Sequence, residues 1–148
     1  GARMLTALRT GVLKVLSLVT ASVLTACTAS TDDVAHARRM LSHYALASCL
    51  ADAYPSEPGF TEDAQAAVGA YHFLGQGAHR IVQDEDTLEV LHDPYAAVRE
   101  YILRQAAAEP AVMKQGGDNA FASCLQVLSS SEFETLVRDQ DSYIDRPD

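Results

Sequence analysis

Apolar residues recur at three- and four-residue steps through most of this chain, and no segment alternates over a useful strand length. From Asp32 to Tyr54 the apolar or small stripe is Val34, Ala37, Leu41, Tyr44, Ala45, Ser48, Cys49 and Ala53. Charged and polar residues such as His36, Arg38, Arg39, His43 and Asp52 fall largely between them. Thr31 or Asp32 suits the start of this helix, and Pro55 stops it at Tyr54. After a turn over Ser56 to Gly59, Thr61 is the expected cap of a second helix, followed by Glu62 and Asp63 where the helix dipole favours negative charge. That helix has an unusually small face, Ala64 to Ala70, which would admit a close neighbour. Gly75 and Gly77 weaken or end it, with room to resume over Ala78 to Val82.

Asp93-Pro94 is the clearest start signal, with Asp93 at the cap and Pro94 at the first helical position, where the missing N–H costs nothing. Tyr95, Val98, Tyr101, Ile102 and Ala106 then form a buried stripe that ends at Glu109-Pro110. The stretch around Gly116-Gly117-Asp118 is a flexible loop. Phe121, Cys124, Leu125 and Leu128 begin a short helix with Cys124 on its inner face. Ser131 and Glu134 fit a capping box for a last helix carrying Phe133, Leu136 and Val137. The polar tail from Asp139 is expected to fray. The pattern therefore predicts an all-α fold, a small bundle of four to six helices.

The front of the chain reads differently. From Met4, Arg9 and Lys14 precede an apolar or small run, Val15 to Ala26, that contains no acidic residue and resembles a secretory signal. Such a run is too short to span a bilayer, which takes about 20 apolar residues. Leu24-Thr25-Ala26-Cys27 closes it as a lipoprotein signal, so Cys27 is expected to carry the lipid after cleavage ahead of it; the alternative is ordinary cleavage after Ala29. Thr28 after the cysteine favours the outer membrane, by resemblance to Gram-negative lipoproteins. Residues 1–26 are then a leader whose first three residues are a non-native start, 27–31 a tether, 32–140 the helical domain and 141–148 a polar tail. Cys27 aside, Cys49 and Cys124 remain, and in an oxidising periplasm the count closes if they form one inter-helix disulfide. Two buried free thiols are the other reading.

Charge narrows the partners. The leader holds Arg3, Arg9 and Lys14 and no acid, so its removal takes the formal charge from −9 to about −12. Such a domain repels nucleic acid and anionic lipid and favours basic partners; the membrane enters only through the anchor. No phosphate-binding glycine loop, helical zinc motif or nucleophile elbow is present, so no enzyme, metal or cofactor is expected. His36 and His43, like His72 and His79, are two helical turns apart, too far for one metal ion. The run from Asp84 to Asp93 lacks the spacing of a calcium loop and reads as a solvated acidic face, or as a docking surface through Asp84, Glu85 and Asp86.

Taken in order, Tyr44-Ala45-Leu46-Ala47-Ser48-Cys49-Leu50, Tyr54, Gly69-Ala70-Tyr71, Cys124-Leu125, Ser131-Glu132-Phe133 and Leu136-Val137 resemble the type VI secretion amidase immunity proteins, the Tai4-like and Rap1a-like group. The resemblance runs from about Asp32 to Arg138. It implies a periplasmic protein that binds and blocks a peptidoglycan amidase effector, often as a homodimer, with a protruding loop entering the catalytic groove. On this chain it carries Cys49 and Cys124 as the structural disulfide and offers Gln115, Gly116, Gly117, Asp118 and Asn119 as the inserted loop. The acidic stretch from His79 to His92 is longer than the resemblance leads one to expect. The rival reading is an envelope adaptor lipoprotein whose acidic face docks another assembly.

Overall fold

The computed structural model describes residues 26–145, and their side chains from residue 31 onward. The expected leader ahead of Ala26 and residues 146–148 lie outside the described residues, and so does the Cys27 side chain on which the lipid is expected. Helix α1 (Ala26–Ala53) starts ahead of the expected Asp32. It stops before Tyr54 because the residue preceding Pro55 is pushed out of the helical region.

Helix α2 (Pro58–Tyr71) begins at Pro58, pre-set for a first turn, and not after Thr61. Thr61 lies inside the helix and its hydroxyl donates to the Tyr54 and Glu57 carbonyls, fastening the turn between α1 and α2. Helix α2 lies close against α1, as its small face allows, with Ala64 buried there, whereas a Cβ at Gly69 would meet open space.

After α2 the chain does not resume a helix over Ala78 to Val82. His79 pairs with Ile144, and a two-stranded antiparallel hairpin forms from β1 (Val82–Gln83) and β2 (Val90–His92). Two forces decide this. A Cβ at Gly77 would stand 2.3 Å from the Tyr95 hydroxyl, so glycine lets the chain pass beneath that ring. The hydroxyl then takes over the pairing that a helix would have supplied: it donates to the His79 carbonyl at 3.0 Å and accepts the His79 N–H at 3.2 Å.

Helix α3 (Pro94–Ala108) starts where Asp93-Pro94 places it, with the Asp93 carboxylate accepting from the Tyr95 and Ala96 N–H groups at 2.9 and 3.1 Å. Helix α4 (Ala120–Leu128) follows Asn119, and α5 (Ser131–Asp139) follows Ser130. The cap of α5 is thus Ser130, which accepts from the Phe133 N–H at 3.2 Å, and not Ser131. Glu134 pairs with Arg138 one turn on, so no capping box closes. The chain beyond Asp139 is packed through residue 145, contrary to the frayed tail expected there. Gln140 and Ile144 are buried, Asp141 is gripped by the Arg38 guanidinium, and Tyr143 stacks on His92 at 3.9 Å.

Helix α1 packs against the other four helices, and its Leu41, Tyr44, Ala45 and Cys49 meet Tyr95, Val98 and Ile102 of α3 in one core. On α4 the inner residues are Ser123, Cys124 and Val127, whereas Phe121 and Leu125 face outward. Cys49 and Cys124 are joined, with their Cα atoms 5.9 Å apart and 75 residues of chain between them. Closing so long a loop removes unfolded-chain entropy worth about 4 kcal/mol. Cys124→Ser is expected to lower the thermal midpoint by more than about 10 °C, read by circular dichroism with and without reductant; an unchanged midpoint would refute the structural role.

His79 supplies a second test. It is 2% exposed and neither ring nitrogen has a hydrogen-bond partner among the described residues. Burial pushes its pKa down to about 4 from the ordinary 6.5, the nearby Asp141 opposing this only in part. The unfolded chain therefore binds more protons between those values, so folding stability falls as pH drops from 6.5 towards 4, by about 3 kcal/mol in total, and is kept above 6.5. His79→Leu should flatten this slope and raise stability at neutral pH, because an unpaired buried polar group is removed. Denaturant midpoints measured between pH 4 and 7.5 check both outcomes.

Candidate functional site

The loop after α3 is built as a projection. Its base is closed by pairing of Val112 with Asp118 and by the Asn119 N–H, which donates to the Ala111 carbonyl at 2.9 Å. The Ser123 hydroxyl accepts the Ala111 N–H at 2.9 Å and so ties the loop to α4. At the tip Gly116 and Gly117 have φ of 83° and 89°, left-handed conformations that glycine adopts without steric cost. Such a framework fixes the ends of the loop and leaves Lys114, Gln115, Gly116, Gly117 and Asp118 exposed. Asn119 differs from its expected companions: its side chain caps α4 by accepting the Ala122 N–H at 2.8 Å, so it is committed inside the fold.

Apolar residues surround this projection. Val112 is 71% and Met113 49% exposed, far above what a core residue shows. Phe121 and Phe60 are also exposed, linked through Tyr54, whose ring meets Phe60 at 5.0 Å and whose hydroxyl accepts the Phe121 N–H at 3.1 Å. Behind the loop lies a groove of about 350 Å³ lined by Leu103, Ala106, Ala107, Pro110 and Ala120, with the disulfide at its floor and Asp52 and Asp118 beside it. Neither reading of the loop from its glycines nor the resemblance pointed to Val112, Met113 or this groove. One signal was present: two large apolar residues between Pro110 and Gly116-Gly117 lie in a loop too short to bury them.

Asp84, Glu85 and Asp86 lie elsewhere, at the tip of the β1–β2 hairpin. The Asp84 carboxylate accepts from the Thr87 N–H, the Thr87 hydroxyl and the Asp86 N–H, which together hold its pKa below the ordinary value. Leu88, with φ of 58°, is 70% exposed, and Val90 and Leu91 are exposed as well. The hairpin precedes α3 and the loop follows it, so the two candidate surfaces sit at opposite ends of a helix about 22 Å long. The structure does not bring them together.

Among the described residues no three His, Cys, Asp or Glu side chains gather as a metal-binding set. His43 rests against Tyr71 at 5.0 Å, His72 against Tyr95 at 4.5 Å, and His92 bonds the Gln140 side chain at 2.7 Å. Among the described residues no helix is long and apolar enough to cross a membrane. What the surface offers is therefore shape, apolar contact and negative charge.

The chain is thus a small, disulfide-stapled helical bundle with a pinned, projecting loop. More specifically, the family model of the type VI secretion system amidase immunity proteins, Tai4, matches residues 39–137, from the middle of α1 to the end of α5, and the chain belongs to that family. No curated protein and no solved structure matches the chain.

Proposed function

We propose that this protein is a periplasmic inhibitor that seats on its cognate peptidoglycan amidase and occludes the catalytic groove with the loop between α3 and α4. Its membership in the amidase immunity family supports the role, and the pinned loop with exposed Val112 and Met113 is the observation that carries the mode of action. Blocking a groove needs complementary shape and charge and no chemistry from the inhibitor. An anionic domain also favours approach by a basic effector. The inserted element comprises residues 112–118, one position short of the expected Asn119. A lipid on Cys27, after cleavage of the leader ahead of it, would tether the inhibitor to the membrane bordering the compartment in which the amidase acts. The acidic hairpin at the far end of α3 favours the second reading, an envelope adaptor with an anionic docking face.

Titration of the mature protein into the peptidoglycan amidase encoded beside it should give tight, stoichiometric binding and loss of hydrolysis. Met113→Asp should weaken that binding by about 30-fold or more with the unfolding midpoint unchanged, as for a buried contact at the centre of an interface. Absence of binding by the oxidised, folded protein would favour the adaptor reading. Separately, Cys27→Ser should abolish incorporation of a fatty-acid label into the protein without altering the thermal midpoint; equal labelling of the variant and the unaltered protein would exclude Cys27 as the anchor.

A further inference from the structure

The groove behind the loop has a chemistry of its own. Its walls are small or aliphatic: Leu103, Ala106 and Ala107 from α3, Pro110 after it, and Ala120 from α4. Two carboxylates, Asp52 at the end of α1 and Asp118 in the loop, share the lining, and no Lys or Arg does. Among the described residues neither carboxylate has a hydrogen-bond or salt-bridge partner of its own. An apolar trough with unpaired negative charge suits one kind of side chain, a long aliphatic stem ending in a cation. A trough of about 350 Å³ has room for such a side chain.

From this complementarity we infer that the groove receives a lysine or arginine side chain of the partner, its stem lying over Leu103, Ala106 and Ala107 and its cationic head at Asp52 and Asp118. This rests on the proposed role as amidase inhibitor and adds a specificity pocket to it. The loop supplies occlusion, and the groove selects a partner that carries a cation at the matching distance from the loop. A partner with a neutral or acidic residue there is rejected, because it leaves the carboxylates covered and unpaired. The alanines are what open the groove, since larger side chains at Ala106 or Ala107 would fill it.

Asp52 and Ala107 lie outside the loop, so their variants test the groove alone. Asp52→Asn should weaken binding of the neighbouring amidase by at least about tenfold and reduce its dependence on salt. Ala107→Leu, at an exposed position, should weaken it by a similar factor with charge unchanged. Thermal midpoints equal to that of the unaltered protein establish that both variants are folded. If the unaltered protein binds and both variants bind equally well, the groove inference is overturned while the inhibitor reading stands. If the unaltered protein itself fails to bind the amidase, both fall together.

Discussion

The disulfide between Cys49 and Cys124 is the constraint on which the loop end of the molecule depends. Helix α4 has nine residues, fewer than an isolated helix needs to hold its shape in water. Its stability must come from tertiary contacts, and the bridge to α1 is the shortest of these. Asn119 caps that helix and closes the loop base, while Ser123 on its second turn holds Ala111. The position of the loop is therefore set by α4, and α4 is set by the bridge. The same sulfurs form the floor of the groove, so one covalent link fixes both the projecting element and the hollow beside it.

At the other end of α3, Tyr95 takes the corresponding part without a covalent bond. It is fully buried, meets the Tyr44 ring of α1 edge-on at 5.1 Å, and clamps the backbone of His79 through its hydroxyl. Because His79 pairs with Ile144, the clamp also orders the chain end, where Arg38 grips Asp141. Burial raises the Tyr95 pKa to about 12, so its hydroxyl keeps its proton, and with it the bond it donates to the His79 carbonyl, at physiological pH. The hairpin thus projects from a fixed base even though its two short strands would not be stable alone.

Much of this architecture was legible where one local rule acted without competition. Asp93-Pro94 and Glu109-Pro110 bounded α3 because capping and the geometry of proline leave few alternatives there. The stripe of α1 and the pairing of two cysteines were readable for similar reasons. The errors fall where a distant partner decides. Ala78 to Val82 could continue a helix by its composition, but Tyr95, 16 residues from His79, claimed the backbone groups. The end of the chain looked frayed because its contacts, Arg38, His79 and His92, lie far away in sequence. The loop was visible through its glycines, whereas the groove arises only when residues from α1, α3 and α4 meet.

Separation of the acidic hairpin from the apolar loop also limits what each does in a complex. Screening at physiological ionic strength acts over about 8 Å, and α3, at whose opposite ends the two surfaces sit, is about 22 Å long. The hairpin charges therefore add little to a contact confined to the loop; they act on a partner during its approach, or on one broad enough to span α3. Near the loop, contact falls to Val112, Met113 and the aromatic residues beside them, with the Asp52 and Asp118 carboxylates at the adjoining groove. Charge acting at range and apolar contact acting at touch are different controls, the first on the rate of encounter and the second on the lifetime of the complex. The proposed role as an inhibitor, which must meet its target and then hold it, calls for both, and placing them on separate elements lets each be strong without the desolvation cost of burying the hairpin carboxylates.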